Sequence, residues 1–142
     1  MNRKKKILIT GGAGFIGSHA AQMFNEKGFD VAILDNYCTG FHRNILRIPD
    51  VKIYEGDVND FSFVEGAILS FLPNVVLHAA GSYKDSEDWN TDVSTNINGA
   101  INVVRVLQKL DDVKLIYLQT SLCYGLESNG LPTTTSQPYF DG

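Results

Sequence analysis

Cysteine is scarce in this chain: there are two, Cys38 and Cys123. Neither sits in a Cys-x-x-Cys pair or beside a zinc-like cluster. That excludes a disulfide framework, gives no metal site, and fits a reducing cytoplasm. Long apolar runs are lacking as well. No stretch approaches the roughly 20 residues of a membrane span. The apolar Ile7-Leu8-Ile9 that follows the basic Arg3-Lys4-Lys5-Lys6 is cut short by Gly11-Gly12, too soon for a signal peptide. The basic run itself reads as a solvated lead-in to the first strand. Elsewhere basic residues are dispersed, 12 Lys and Arg against 16 Asp and Glu for a net charge of −4. A nucleic-acid surface needs the opposite, clustered Lys and Arg. Internal repeats and low-complexity segments are absent.

What remains is ordinary for one soluble domain: 142 residues, 44% hydrophobic and 20% charged, enough to bury a core without staples. Short apolar runs alternate with longer helical patterns. Strands are expected at Ile7 to Thr10, Val31 to Leu34, Val51 to Tyr54, Val75 to His78 and Leu115 to Leu118. Most are apolar on consecutive positions, the mark of strands buried on both faces of a parallel sheet. Helix patterns lie between them. Ile16, Ala20, Met23 and Phe24 carry the first, which stops at Gly28. Val64, Ala67, Ile68, Phe71 and Leu72 carry the next, ahead of Pro73. Val93, Ile97, Ala100, Ile101, Val104 and Leu107 mark one face of the longest. The link between the second and third strands has room for a turn of helix only. Strand–helix alternation predicts an α/β fold, a doubly wound parallel sheet of at least five strands. Periodicity ends at Thr120, and Ser128 to Gly142 reads as loop.

The segment Thr10-Gly11-Gly12-Ala13-Gly14-Phe15-Ile16-Gly17 follows the first strand and opens the first helix. It reads both as Gly-x-Gly-x-x-Gly at Gly12, Gly14 and Gly17 and as Gly-x-x-Gly-x-x-Gly at Gly11, Gly14 and Gly17; such glycines allow a tight turn, backbone approach to a pyrophosphate, and close packing of helix on sheet. The free N–H groups of the helix then face the anion. Asp35 ends the second strand, 18 positions beyond Gly17. A carboxylate there accepts both adenosine ribose hydroxyls and repels a 2′-phosphate, and Asn36 stands where an NADP enzyme often offers Arg. The expected ligand is NAD.

With these motifs the sequence resembles the extended short-chain dehydrogenases/reductases, and among them the nucleotide-sugar epimerases of the UDP-galactose 4-epimerase and bacterial O-antigen type. The likeness runs through His78-Ala79-Ala80-Gly81-Ser82-Tyr83-Lys84-Asp85, Asp88-Trp89, and Leu118-Gln119-Thr120-Ser121-Leu122-Cys123-Tyr124-Gly125. The resemblance implies a Rossmann fold and assigns roles by position. Phe15 and Ile16 join the phosphate loop. Asn36, Thr39 and Gly40 form the adenosine-ribose loop. Asp57 and Val58 follow strand three, where the family's acid accepts from the adenine amino group; read alone, Asp57 is an acid fit to cap a helix. Ala79, Ala80 and Gly81 let the nicotinamide half cross strand four, and Lys84 reaches the cofactor, although a loop lysine by itself reads as surface. Asn96, on an apolar helix face, needs a polar partner. It matches the asparagine of an Asn-x-x-Gly-Ala motif that orders the catalytic region, and equally suits a core brace. Thr120 matches the Ser or Thr that hydrogen-bonds the sugar 4-oxygen, or serves as a strand-end cap.

Two departures matter. Ser121 and Leu122 stand where nucleotide-sugar dehydratases carry Asp-Glu, which disfavours a 4,6-dehydratase. The family's Tyr-x-x-x-Lys does not occur among the 142 residues. The resulting expectation is a cytoplasmic parent, a homodimer acting on a UDP-sugar, that inverts C4 of a UDP-hexose through a keto intermediate. Residues 1–125 would form its NAD-binding Rossmann part. Residues 126–142 would be a loop leading toward the Tyr-x-x-x-Lys, the sheet being cut before its remaining strands and the substrate domain. On that expectation the chain alone is inactive. A sugar decarboxylase or another extended relative, a non-catalytic NAD-binding module, and an inactive fragment remain open beside it.

Overall fold

The five apolar runs form one parallel sheet in the computed structural model, which describes residues 4–83, 85 and 87–119. The strands are β1 (Lys6–Thr10), β2 (Asp30–Asp35), β3 (Lys52–Glu55), β4 (Val75–His78) and β5 (Lys114–Tyr117). Their order is β3-β2-β1-β4-β5. Ile9 pairs with Ile33 on one side and Leu77 on the other. The chain winds outward from β1 to β3, then crosses back to β4 and continues to β5. The loops leaving β1 and β4 therefore diverge, and a crevice opens above the carboxyl ends of the strands.

Alternation along the central strands feeds two apolar layers. Leu8, Leu34 and Val76 pack with Val64, Ile68, Val103 and Val106 on one face. Ile7, Ile9, Ile33 and Leu77 pack with Ala21, Ile45 and Ile48 on the other. Burial on both faces, expected of the strands generally, holds for β1, β2 and β4. It does not hold for β3 and β5, whose residues are exposed or half-buried because each has only one strand beside it among the described residues.

Helix α1 (Phe15–Glu26) covers one face and stops ahead of Gly28 at φ +82°. One 3₁₀ turn, His42–Asn44, occupies the β2–β3 link. Helix α2 (Phe61–Phe71) starts where the Asp60 carboxylate accepts the Phe63 N–H. It buries Val64, Ala67, Ile68 and Phe71, and the three larger side chains each stabilise the fold by roughly 1.5–3 kcal/mol. Leu72 departs from the sequence reading. It takes the left-handed cap at φ 53°, leaves the helical phase, and is 56% exposed.

The longest helical stretch is composite: α3 (Trp89–Val93), a π-helical turn (Ser94–Gly99) and α4 (Ala100–Leu107). Its orientation corrects the sequence reading. The face that packs on the core is Gly99, Asn102, Val103 and Val106. Val93, Ile97, Ile101 and Val104 are exposed, and with Trp89 they form an outward apolar stripe. Both faces are apolar, so periodicity alone chose the wrong one. Contact with α2 and Val58 decides which turns inward.

Candidate functional site

A cleft of about 1320 Å³ lies at the carboxyl ends of β1 to β4. Its floor is the glycine turn. Gly11 has φ +66°, and its N–H donates to the Leu34 carbonyl. A Cβ there would lie 2.7 Å from the Ala80 nitrogen and 2.8 Å from the Ala79 carbonyl. A Cβ on Gly17 would run into the Gly11 carbonyl, so α1 can approach the turn only with glycine there. Gly14 differs: among the described residues its Cβ would meet only the Gly11 oxygen, at 3.2 Å. Its other side is open to the cleft, which it lines with Gly11, Phe15, Ile16 and Gly17. Among the described residues no side chain caps α1, and its first turn holds no acid. The positive end of the helix and its first N–H groups are thus available to an anion.

Asp35 is 7% exposed at the end of β2. Its Oδ2 accepts the Ala13 N–H and its Oδ1 the Tyr37 N–H, both at 2.8 Å. Asp35 lines the cleft, and a carboxylate oxygen that accepts one donor has capacity for another. Gly40 is buried behind the acid, where a Cβ would come 3.0 Å from Asp35 Oδ1. The Phe41 N–H and the Asn44 side chain both donate to the Ala13 carbonyl, strapping this loop to the glycine turn. Tyr37 at φ 57° stacks on His42, and burial, then the Asp35 charge, pushes its phenol up.

Asn36, Thr39, Asp57 and Val58 line the adjoining wall. Asn36 Nδ2 donates to Asp57 Oδ2 at 2.8 Å, which ties the loop after β2 to the chain just after β3. The opposite wall is Ala79, Ala80 and Gly81. The Ala79 N–H donates to the Thr10 carbonyl and the Ala80 N–H to Thr10 Oγ1. That hydroxyl is 2.7 Å from His78 Nδ1. His78 is 2% exposed, and burial lowers its pKa to about 4. A neutral ring can accept the Thr10 proton at Nδ1. Its Nε2 has no partner among the described residues.

Asn96 stands behind this wall and does not line the cleft. It accepts the Ser82 N–H at 2.8 Å and donates to the Ser82 carbonyl at 2.9 Å. The π-helical turn that carries it is a feature frequent at functional sites. On the rim, Asp88 caps α3, and its hydrogen bonds with Thr91 hold its carboxyl below the usual range. Lys84 and Thr120 lie outside the described residues. Thr10 and His78, which hold the Ala79–Ala80 wall from beneath, escaped the sequence reading. The one signal for His78 was a histidine closing an otherwise apolar strand.

A doubly wound parallel sheet with a glycine turn, an uncapped helix and a strand-end acid at its switch point defines a Rossmann nucleotide-binding fold. The chain belongs to the NAD dependent epimerase/dehydratase family, whose pattern matches residues 7–140. It is 36% identical to the UDP-glucose 4-epimerase of Corynebacterium glutamicum, over 94% of this chain and 40% of the relative. Among solved structures, the Bordetella bronchiseptica enzyme WbmH in complex with NAD+ shares 37% identity and a TM-score of 0.87, over 97% of this chain and 46% of that one. WbmG from the same organism, in complex with NAD and UDP, shares 36% identity and a TM-score of 0.86, over 97% and 44%. The chain thus spans about two-fifths of the length of its curated relatives.

Proposed function

We propose that this chain is the NAD-holding part of an enzyme that inverts C4 of a UDP-hexose. The observation that carries the reading is the open space beside Gly14, between an uncapped helix and the Asp35 carboxylate. A pyrophosphate fits there against the first N–H groups of α1, with Asp35 accepting the ribose hydroxyls. Thr39 and Gly40 shape the ribose loop, Asp57 accepts from the adenine amino group, Ala79 to Gly81 give passage to the nicotinamide half, and Lys84 reaches the cofactor. Asn96 holds Ser82, and so the end of that passage, in place. Bound NAD would supply reversible removal of hydrogen from the sugar carbon. Thr120 would hold the sugar 4-oxygen by a hydrogen bond. Relatives named as UDP-glucose 4-epimerases, and a neighbour carrying NAD and UDP, support the substrate class.

Two measurements test this reading together. By calorimetry NAD should bind more tightly than NADP, and Asp35→Ala should narrow the gap by relieving charge repulsion. The full-length parent should interconvert UDP-glucose and UDP-galactose, while these 142 residues alone should not. NADP binding as tightly as NAD would sink the cofactor assignment. NAD binding by a parent that epimerises nothing would favour a non-catalytic module or another extended relative.

The same reading makes the parent a homodimer. The apolar stripe of Val93, Ile97, Ile101 and Val104 supports it, since a contiguous exposed patch of this kind marks an interaction surface. Ile97→Glu should shift the parent to monomer in sedimentation; an unchanged dimer would place the interface elsewhere.

A further inference from the structure

Asn102 is the least expected polar residue of the core. It lies on the inward face of α4 between Ile101 and Val103, and is 7% exposed. Its Nδ2 donates to two successive carbonyls, Val58 at 2.9 Å and Asn59 at 3.0 Å, so both amide hydrogens are engaged. One turn earlier Gly99 bears on the same segment, and a Cβ there would come 2.7 Å from Val58 Cγ2. Helix α4 thus fixes the chain just after β3 by contact and by hydrogen bond.

That segment in turn fixes an acid. The Asn59 N–H donates to Asp57 Oδ1 at 2.8 Å, while Asn36 Nδ2 donates to Asp57 Oδ2 at 2.8 Å. One of the two donors that orient the carboxylate therefore belongs to a residue whose own carbonyl Asn102 holds. Val58, Asn59 and Asp57 all line the cleft, and Asn102 does not.

We propose that Asn102 is a positioning residue for base recognition: acting through Asn59, it aims the Asp57 carboxylate so that the cleft selects a 6-amino purine over a 6-oxo purine. This rests on the reading that Asp57 faces the adenine amino group. A carboxylate accepts from an amino group and is repelled by a carbonyl oxygen, so a well-aimed acid discriminates and a wandering one does not.

The test compares NAD with nicotinamide hypoxanthine dinucleotide, which replaces that amino group by a carbonyl. Affinities are measured on the 142-residue chain and its variants Asp57→Ala, Asn102→Leu and Asn102→Ser. The unaltered chain should prefer NAD by roughly tenfold or more, the worth of one hydrogen bond to a charged group. Asp57→Ala and Asn102→Leu should each bring the ratio toward one, mainly by weakening NAD. Asn102→Ser keeps a single donor and should fall between; it decides the matter if the leucine variant does not fold. A merely structural asparagine would lower the melting temperature and leave the ratio alone. If Asp57→Ala removes the preference but both Asn102 variants keep it, the proposal is overturned and the role of Asp57 stands. If the unaltered chain makes no distinction, the role of Asp57 fails and the proposal with it.

Discussion

Replacing Gly14 with valine is expected to abolish NAD binding, raising Kd by more than about a hundredfold, while the fold persists. The backbone there is extended, φ −74° and ψ 179°, a conformation open to any residue. Among the described residues a Cβ would meet only the Gly11 oxygen at 3.2 Å, a contact that a shift of a few tenths of an ångström relieves. The two γ-carbons of valine would stand where an anion must come to reach the N–H groups of α1. Hydrogen bonds to charged groups contribute about 1.5–3 kcal/mol each. Loss of two of them accounts for a hundredfold or more. Calorimetry with NAD and a thermal melt decide it together. Binding within a few-fold of the original, with the melt unchanged, would mean the phosphates sit elsewhere. Gly11 is the less informative position, because its positive φ and the backbone of Ala79 and Ala80 make any side chain there a test of folding.

Acid should weaken the fold through His78. Burial holds this ring neutral, with a pKa of about 4 against 6.5 in the unfolded chain. Between those values the unfolded state binds a proton that the native state does not, so stability is full above pH 6.5 and falls as pH drops toward 4. The difference corresponds to ~3 kcal/mol across the window, a large share of the roughly 5–15 kcal/mol of a typical domain. Urea unfolding at pH 7 and pH 4 measures it. His78→Gln should remove this part of the slope and leave the part due to carboxylates. Equal slopes for the two proteins would show that the ring carries a proton in the native state, or is reached by water.

Most of the architecture was legible because one force wrote it. Ile7-Leu8-Ile9 and Val31 to Leu34 are apolar on successive positions, as only strands covered on both faces are. Gly28 and Pro73 marked helix ends by backbone geometry alone. The glycine turn and Asp35 were legible because anion binding beside a helix restricts residue type at fixed spacing. What escaped was decided between elements distant in sequence. The outer face of α3 and α4 is as apolar as the inner, and only the position of α2 and Val58 distinguishes them. Asn102 reads as an ordinary helix residue until the chain after β3 is seen beneath it. Thr10 and His78 lie far apart in the chain and become partners through strand pairing.

Strand order also sets a timetable. Of the described strands β1 is made first, and it ends in the middle of their sheet, with Ile7 beside Val31 on one edge and Val75 on the other. The first edge can be satisfied as soon as α1 and β2 have been synthesised. The second stays bare until α2 and β4 arrive, a closure across a much longer loop. A nascent chain therefore carries β1, whose Ile7, Leu8 and Ile9 are wholly buried in the finished fold, half-paired through the synthesis of β3 and α2, and this is the interval in which another unfinished copy could occupy the place of β4.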